Sequence, residues 1–282
     1  MSDEYDDYDD YDEEDEELEE QDGESTPGDG DALNRSLALG FLAMVPLFLV
    51  YELALIATRS GERNTSELVL FRLFAPFGEW ADSARRVALA AAAACALVVC
   101  LRRHLALGPR IARIAIEGAI GAIAIGPALI ALIHLLGDSL PPLVLAGGPE
   151  TRAPGLAQAA FVFGAGAYEE LVFRVGAYSA LYLCFVQVGL FFGLRRGISG
   201  LLGDVAGLLG SAALFSAFHL AVFVAWLGPG GEEFDLSIFT YRALAGMLLG
   251  ILFRWRGPGV AAWTHGLFNL ALLLGAGPEV FL

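Results

Sequence analysis

The chain has 282 residues, 56% of them hydrophobic, a mean hydropathy of +0.59 and a formal net charge of -16, figures that cannot describe one uniform polymer. Residues 1 to 31 hold eighteen of the thirty-three carboxylates and no Arg, so the rest carries fifteen acids against seventeen Arg and is close to neutral. Apolar runs of roughly 15 to 25 residues recur from there to the C-terminus, far longer than a soluble domain carries, and they exclude a soluble enzyme, a nucleic-acid binder and a disulfide-stapled secreted domain.

The acidic segment comes first. Tyr5 to Tyr11 repeats Tyr-Asp-Asp at period three, and the run continues through Glu20 before a Gly/Ser/Pro/Asp linker ends near Asp31. So many like charges bury nothing, which predicts a disordered tail over 1–33. It has no basic n-region and is not a signal peptide. A solvated anionic tail is the first reading, and a docking site for cations or a basic partner is the second.

A membrane domain is expected over 34–282. Against the ~20 residues needed to cross the hydrocarbon, apolar spans fall near Ser36 to Ala57, Val87 to Leu101, Ile111 to Leu136, Leu156 to Leu194, Leu201 to Leu227, Ser237 to Phe253 and Val260 to Leu274. That predicts an all-α polytopic bundle of seven spans, or eight if the long fourth stretch breaks, because each span must satisfy its own backbone in lipid. Leu68 to Trp80, interrupted by Arg72 and Glu79, is too polar to cross and is expected at the interface. If the long fourth stretch is a single broken helix, Arg102, Arg103, Arg110, Arg113, Arg195, Arg196, Arg254 and Arg256 fall on one side, which the positive-inside rule makes the cytoplasm, with the N-terminus also inside; Arg59, Arg63, Arg85 and Arg86 run against it. Cys95, Cys100 and Cys184 sit in apolar runs with no ligand spacing.

Ionisable side chains inside lipid cost about 2.5–3.5 kcal/mol each on insertion scales, so those present call for a function. Three clusters meet that description, all within 156–274. In the first, Glu169-Glu170-Leu171-Val172-Phe173-Arg174, adjacent carboxylates point about 100° apart on a helix; Glu170 pairs with Arg174 at i, i+4, leaving Glu169 and Phe173 on another face, where Glu169 lines a cavity. The second runs Phe215-Ser216-Ala217-Phe218-His219. In the third, His265 and Asn269 stack one turn apart, and the expected partners of the two His are each other and Glu169. Together they make a hydrolytic site: Glu169 as general base for water, His219 holding the same water, and His265 with Asn269 as donors to the oxyanion on a scissile carbonyl. A metal site through Glu169, His219 and His265 is disfavoured, since no His-Glu-x-x-His spacing exists and an amide suits hard ions better than zinc. Glu52 and Glu117 would serve a proton-coupled transporter, but no inverted repeat accompanies them.

The ordered series Glu-Glu-x-x-x-Arg, Phe-x-x-x-His and His-x-x-x-Asn, each in its own apolar run, resembles the CPBP family of CAAX prenyl endopeptidases and bacteriocin-processing proteins, which includes the Ras-converting type of CAAX protease. The resemblance covers Gln158 to Leu274. It implies Glu169 as water-activating base, His219 as its partner, His265 and Asn269 as oxyanion stabilisers, and structural roles for Glu170 and Arg174, with Phe173 and Phe215 as their supports. Val175 is a departure, standing where the family often has Gly directly after the motif Arg, and the stretch between Arg174 and His219 is longer than usual. The expected protein is thus an intramembrane glutamate-type endopeptidase in a prokaryotic cytoplasmic membrane. It works without metal or cofactor on a membrane-anchored protein or peptide and does not bind nucleic acid. The alternatives are a non-catalytic membrane scaffold or bacteriocin-immunity-type protein, or a zinc-dependent variant of the protease.

Overall fold

The computed structural model describes residues 37–58, 63–136, 155–228 and 230–275, all belonging to the compact unit Asn34–Leu282. The acidic tail expected over 1–33 lies outside the described residues. Among the described residues the regular structure is helical, with one isolated parallel bridge between Leu220 and Glu232. The helices are α1 (Leu37–Thr58), α2 (Thr65–Leu73), α3 (Ala81–Arg102), α4 (Leu107–Leu136), α5 (Leu156–Glu170), α6 (Ser179–Phe191), α7 (Arg196–Ala217), α8 (Ala221–Val224), α9 (Leu236–Arg256) and α10 (Pro258–Leu273).

Six helical segments among these residues are long and apolar enough to cross a membrane. The seventh expected span is α10, whose 16 residues reach only ~24 Å at the α-helical rise. The long fourth stretch does not break: α5 and α6 join through a π-helical segment, Leu171–Tyr178, into one continuous helix. A π turn takes in one more residue than an α turn and is common at functional sites, and Val175, the residue interposed after the motif Arg, lies inside it. Leu68 to Trp80 takes in the C-terminal part of the nine-residue α2 and a 3₁₀ turn, Ala75–Trp80, that leads into α3. The outer surface carries many exposed apolar side chains, Leu53, Ile123, Phe191 and Val222 among them, as lipid contact requires and water does not tolerate.

The ends of the elements are legible locally. Asn64 caps α2 by accepting the Ser66 amide at 2.8 Å, and Asp235 caps α9 by accepting the Ile238 amide at 2.9 Å. Gly257, with φ 88°, ends α9, and Pro258 opens α10 immediately after it, the usual division of labour between Gly and Pro at helix boundaries.

α10 is the hub, packed on α4, α5, α1 and α9. One core joins Met44, Leu47, Phe48 and Tyr51 of α1 to Ala167, Tyr168 and Ala262; another joins Ala122 and Ile125 of α4 to Leu249 and Phe268. Where α5 meets α10, Gly166 lets the backbones touch: a Cβ there would sit 2.7 Å from the Gly266 nitrogen and 2.8 Å from the Ala262 carbonyl. That approach brings the end of α5 beside His265.

Candidate active site

A cavity of about 530 Å³ opens between these elements, lined by Glu169, His219, His265 and Asn269, with Asn64, Glu232, Tyr241 and Arg242 completing its polar surface. Its walls are apolar, with Ile125, Phe161, Phe215, Leu249 and Phe268 among them. The four side chains singled out as catalytic in the sequence therefore share one cavity, although they come from α5, the turn after α7, and α10.

His265 is the centre of the polar geometry. Its Nδ1 lies 2.9 Å from Glu170 Oε1, and its Nε2 lies 3.6 Å from Glu169 Oε2. A carboxylate only accepts hydrogen bonds, so Nδ1 carries the proton of its contact with Glu170, and Nε2 faces Glu169 and the cavity. The helical spacing separates the two carboxylates as expected, but it does not give them unconnected tasks: one imidazole stands between them. Glu170 also keeps its i, i+4 partner, with Arg174 Nε 3.3 Å from Glu170 Oε2 and both side chains fully buried. The Arg174 guanidinium lies 5.1 Å from the centre of the Phe215 ring, and its nitrogens make no hydrogen bond among the described residues. Phe215 in turn contacts Phe173, His219 and His265 edge to face, so the two Phe singled out in the motifs fill the space between the polar groups.

His219 is not inside a span. α7 ends at Ala217, and His219 sits in a turn before α8. Its carbonyl accepts from the Glu232 amide at 2.8 Å, while the Ala221 amide donates to the Glu232 carbonyl at 2.9 Å. Its Nδ1 donates to the Phe215 carbonyl at 2.9 Å. In the neutral ring Nε2 is then the acceptor nitrogen, the state suited to taking a proton from water.

Two features of the site escape the sequence motifs. Asn64 Nδ2 donates to Glu169 Oε1 at 3.0 Å. Arg242 of α9 makes a two-pronged pair with Glu232, at 2.7 and 2.8 Å, on the cavity surface. The hydrogen bond from Arg242 holds the Glu232 carboxyl below the usual glutamate range, against a smaller opposing push from partial burial. Beside the cavity lies a second buried network. Arg85 pairs with Glu52 at 2.8 Å and with Glu67 and Asp82 at 3.1 Å, and it donates to the Tyr168 hydroxyl, which donates to Glu52 at 2.8 Å. Glu117 pairs with Arg256 at 2.6 Å and Arg113 at 2.8 Å. Both carboxylates of the transporter reading thus have arginine partners. Among the described residues no three His, Cys, Asp or Glu are grouped so as to hold a metal ion.

Residues 151–271 match the family model described as Type II CAAX prenyl endopeptidase Rce1-like. The match spans all three motifs and supports assignment to the CPBP and CAAX protease family. No curated protein and no solved structure matches it.

Proposed function

We propose that this protein is an intramembrane endopeptidase that cuts a peptide bond of a membrane-associated protein by direct attack of water. The observation that carries the reading is the convergence of Glu169, His219, His265 and Asn269 on one apolar-walled cavity. Glu169 takes a proton from the water as its oxygen bonds to the scissile carbonyl carbon, and His219 Nε2 holds that water. The carbonyl oxygen becomes an oxyanion that accepts hydrogen bonds from the Asn269 carboxamide and from His265 Nε2, which donates when the imidazole carries a proton on both ring nitrogens. When the intermediate collapses, the C–N bond breaks and the proton held by Glu169 passes to the leaving amine. Glu170 keeps His265 oriented through Nδ1, and the apolar walls limit water so that these dipoles act at low dielectric. The family match points to a substrate ending in a CAAX sequence. The arginines at the start of α4 and the end of α9 support an orientation with that side and the N-terminus in the cytoplasm, and the proposed location is a prokaryotic cytoplasmic membrane.

The test is cleavage of a farnesylated, internally quenched CAAX peptide in detergent micelles by wild type and by Glu169→Gln, each with and without phenanthroline. Cleavage by wild type alone, unaffected by the chelator, is expected. Equal turnover by both proteins, or no cleavage by wild type, overturns the reading; loss to chelator with recovery on added zinc moves it to the metal-dependent alternative.

A further inference from the structure

The side chain of Asn64 makes two hydrogen bonds of different purpose. Its Oδ1 accepts the Ser66 amide and caps α2, while its Nδ2 donates across the cavity wall to Glu169 Oε1 at 3.0 Å. The residue is only 4% exposed, and its own amide donates to the Tyr51 hydroxyl at 3.0 Å. Tyr51 donates to Glu67 Oε2, and Glu67 Oε1 is paired with Arg85. Farther along α2, Arg72 Nη2 donates to the carbonyls of Trp226 and Leu227, at 3.2 and 3.1 Å. This short helix is therefore pinned at its start to the buried network and near its end to the turn that follows α8.

We propose that Asn64 is the positioning residue for Glu169. The inference rests on the reading of Glu169 as the base. A glutamate has three rotatable side-chain bonds, and in a roomy cavity it would sample several rotamers. With Oε1 fixed by the Asn64 carboxamide, Oε2 is left facing His265 Nε2 and the cavity, and the reacting oxygen is held before substrate arrives. Asn64 is itself held by Tyr51 and by the cap, so its carboxamide is oriented toward Glu169 before substrate arrives.

The two bonds of Asn64 separate the positioning role from the structural one. Asp and Ser are both good N-caps, so Asn64→Asp and Asn64→Ser keep the bond to Ser66; neither offers an N–H to Glu169. On the peptide described above, both variants should keep the wild-type KM and lose about ten- to hundredfold in kcat, the range expected from a misplaced reacting group; Asn64→Ser should melt within a few degrees of wild type, and Asn64→Asp lower, because it buries a second carboxylate. Asn64→Asp should be the worse of the two, because it sets a second carboxylate beside Glu169. Wild-type kcat in Asn64→Ser while Glu169→Gln is inactive overturns the positioning role and leaves the base in place. Loss of the folded protein in both variants assigns Asn64 to the cap alone and also overturns it. An active Glu169→Gln overturns the reading on which it rests.

Discussion

Three consecutive residues at the end of α5 serve two buried polar clusters of opposite character. Tyr168 belongs to the first, with Arg85, Glu52 and Glu67; Glu169 and Glu170 belong to the second, with His265 and Arg174. The first is close to saturated: three carboxylates and a tyrosine hydroxyl surround one guanidinium, each within 3.1 Å or less. The second is left under-satisfied, with His265 Nε2 only 3.6 Å from its neighbour and a cavity in front of it. A saturated cluster in a low-dielectric interior fixes the fold. An unsatisfied one facing a cavity holds groups ready for an incoming water and carbonyl, so the two should respond to mutation in different observables.

The largest effect should come from the open cluster. Glu169→Gln keeps shape and insertion but removes the base, and kcat should fall by about 10²–10⁴-fold, the usual share of a general base, with little change in melting temperature. Turnover near wild type would erase the distinction between the clusters. In the saturated cluster, Arg85→Ala should do the reverse. It takes the shared cation from the fully buried Glu67 and the partly buried Glu52, which keep Arg63 and Arg86, a loss of up to about 3–5 kcal/mol, measured as a drop in thermal stability in detergent. A stable but inactive Arg85→Ala would mean that the network serves the reaction and not the bundle.

Glu170 tests the border between them. Sequence spacing alone gives it to Arg174 and to stability, but the 2.9 Å contact with His265 Nδ1 adds a share in rate. Glu170→Gln can still fill the site yet no longer offers a charged acceptor to the imidazole. The expected outcome is a loss of up to about a hundredfold in kcat together with a lower melting temperature. A change confined to stability would return the residue to the structural side.

How much of this was legible in the sequence depends on the range of each contact. The four cavity residues were readable because polar groups in apolar runs are costly and because their i, i+4 spacing survives folding: His219 still meets Phe215, and Glu170 still meets Arg174. The cross-helix contacts were not. Glu52 reads as a singleton because its arginines lie far along the chain, at Arg85 and Arg86, whereas Glu117 has Arg113 four residues before it, a helical pair the sequence offers, and only its second partner, Arg256, is distant. Asn64 followed by Thr65-Ser66-Glu67 could have been read as a helix cap, but nothing in that pattern aims its amide at Glu169, 105 residues away. The end of α7 was also misplaced, because hydropathy continues through Leu220 to Leu227 while the backbone turns at His219 to meet Glu232.

The smallest expected effect lies at the cavity surface, where Arg242 and Glu232 form a cluster of the saturated kind with more solvent around it. Because Arg242 lowers the Glu232 carboxyl below its ordinary range, the pair contributes stability that is fully present above the unfolded glutamate value and is lost as pH falls through the lowered folded one. The Glu232 side chain is 51% exposed, so screening limits the contribution to about 0.2–1 kcal/mol. The backbone bridge between Leu220 and Glu232 does not depend on the charge, so Glu232→Gln should keep the turn that holds His219. Melting curves of wild type and Glu232→Gln from neutral to acid pH should differ slightly at neutral pH and converge once the wild-type carboxyl is protonated. A gap that persists at acid pH would show that the side chain supports the turn through shape and not charge. A drop in kcat at neutral pH with unchanged melting would place the pair in substrate handling instead.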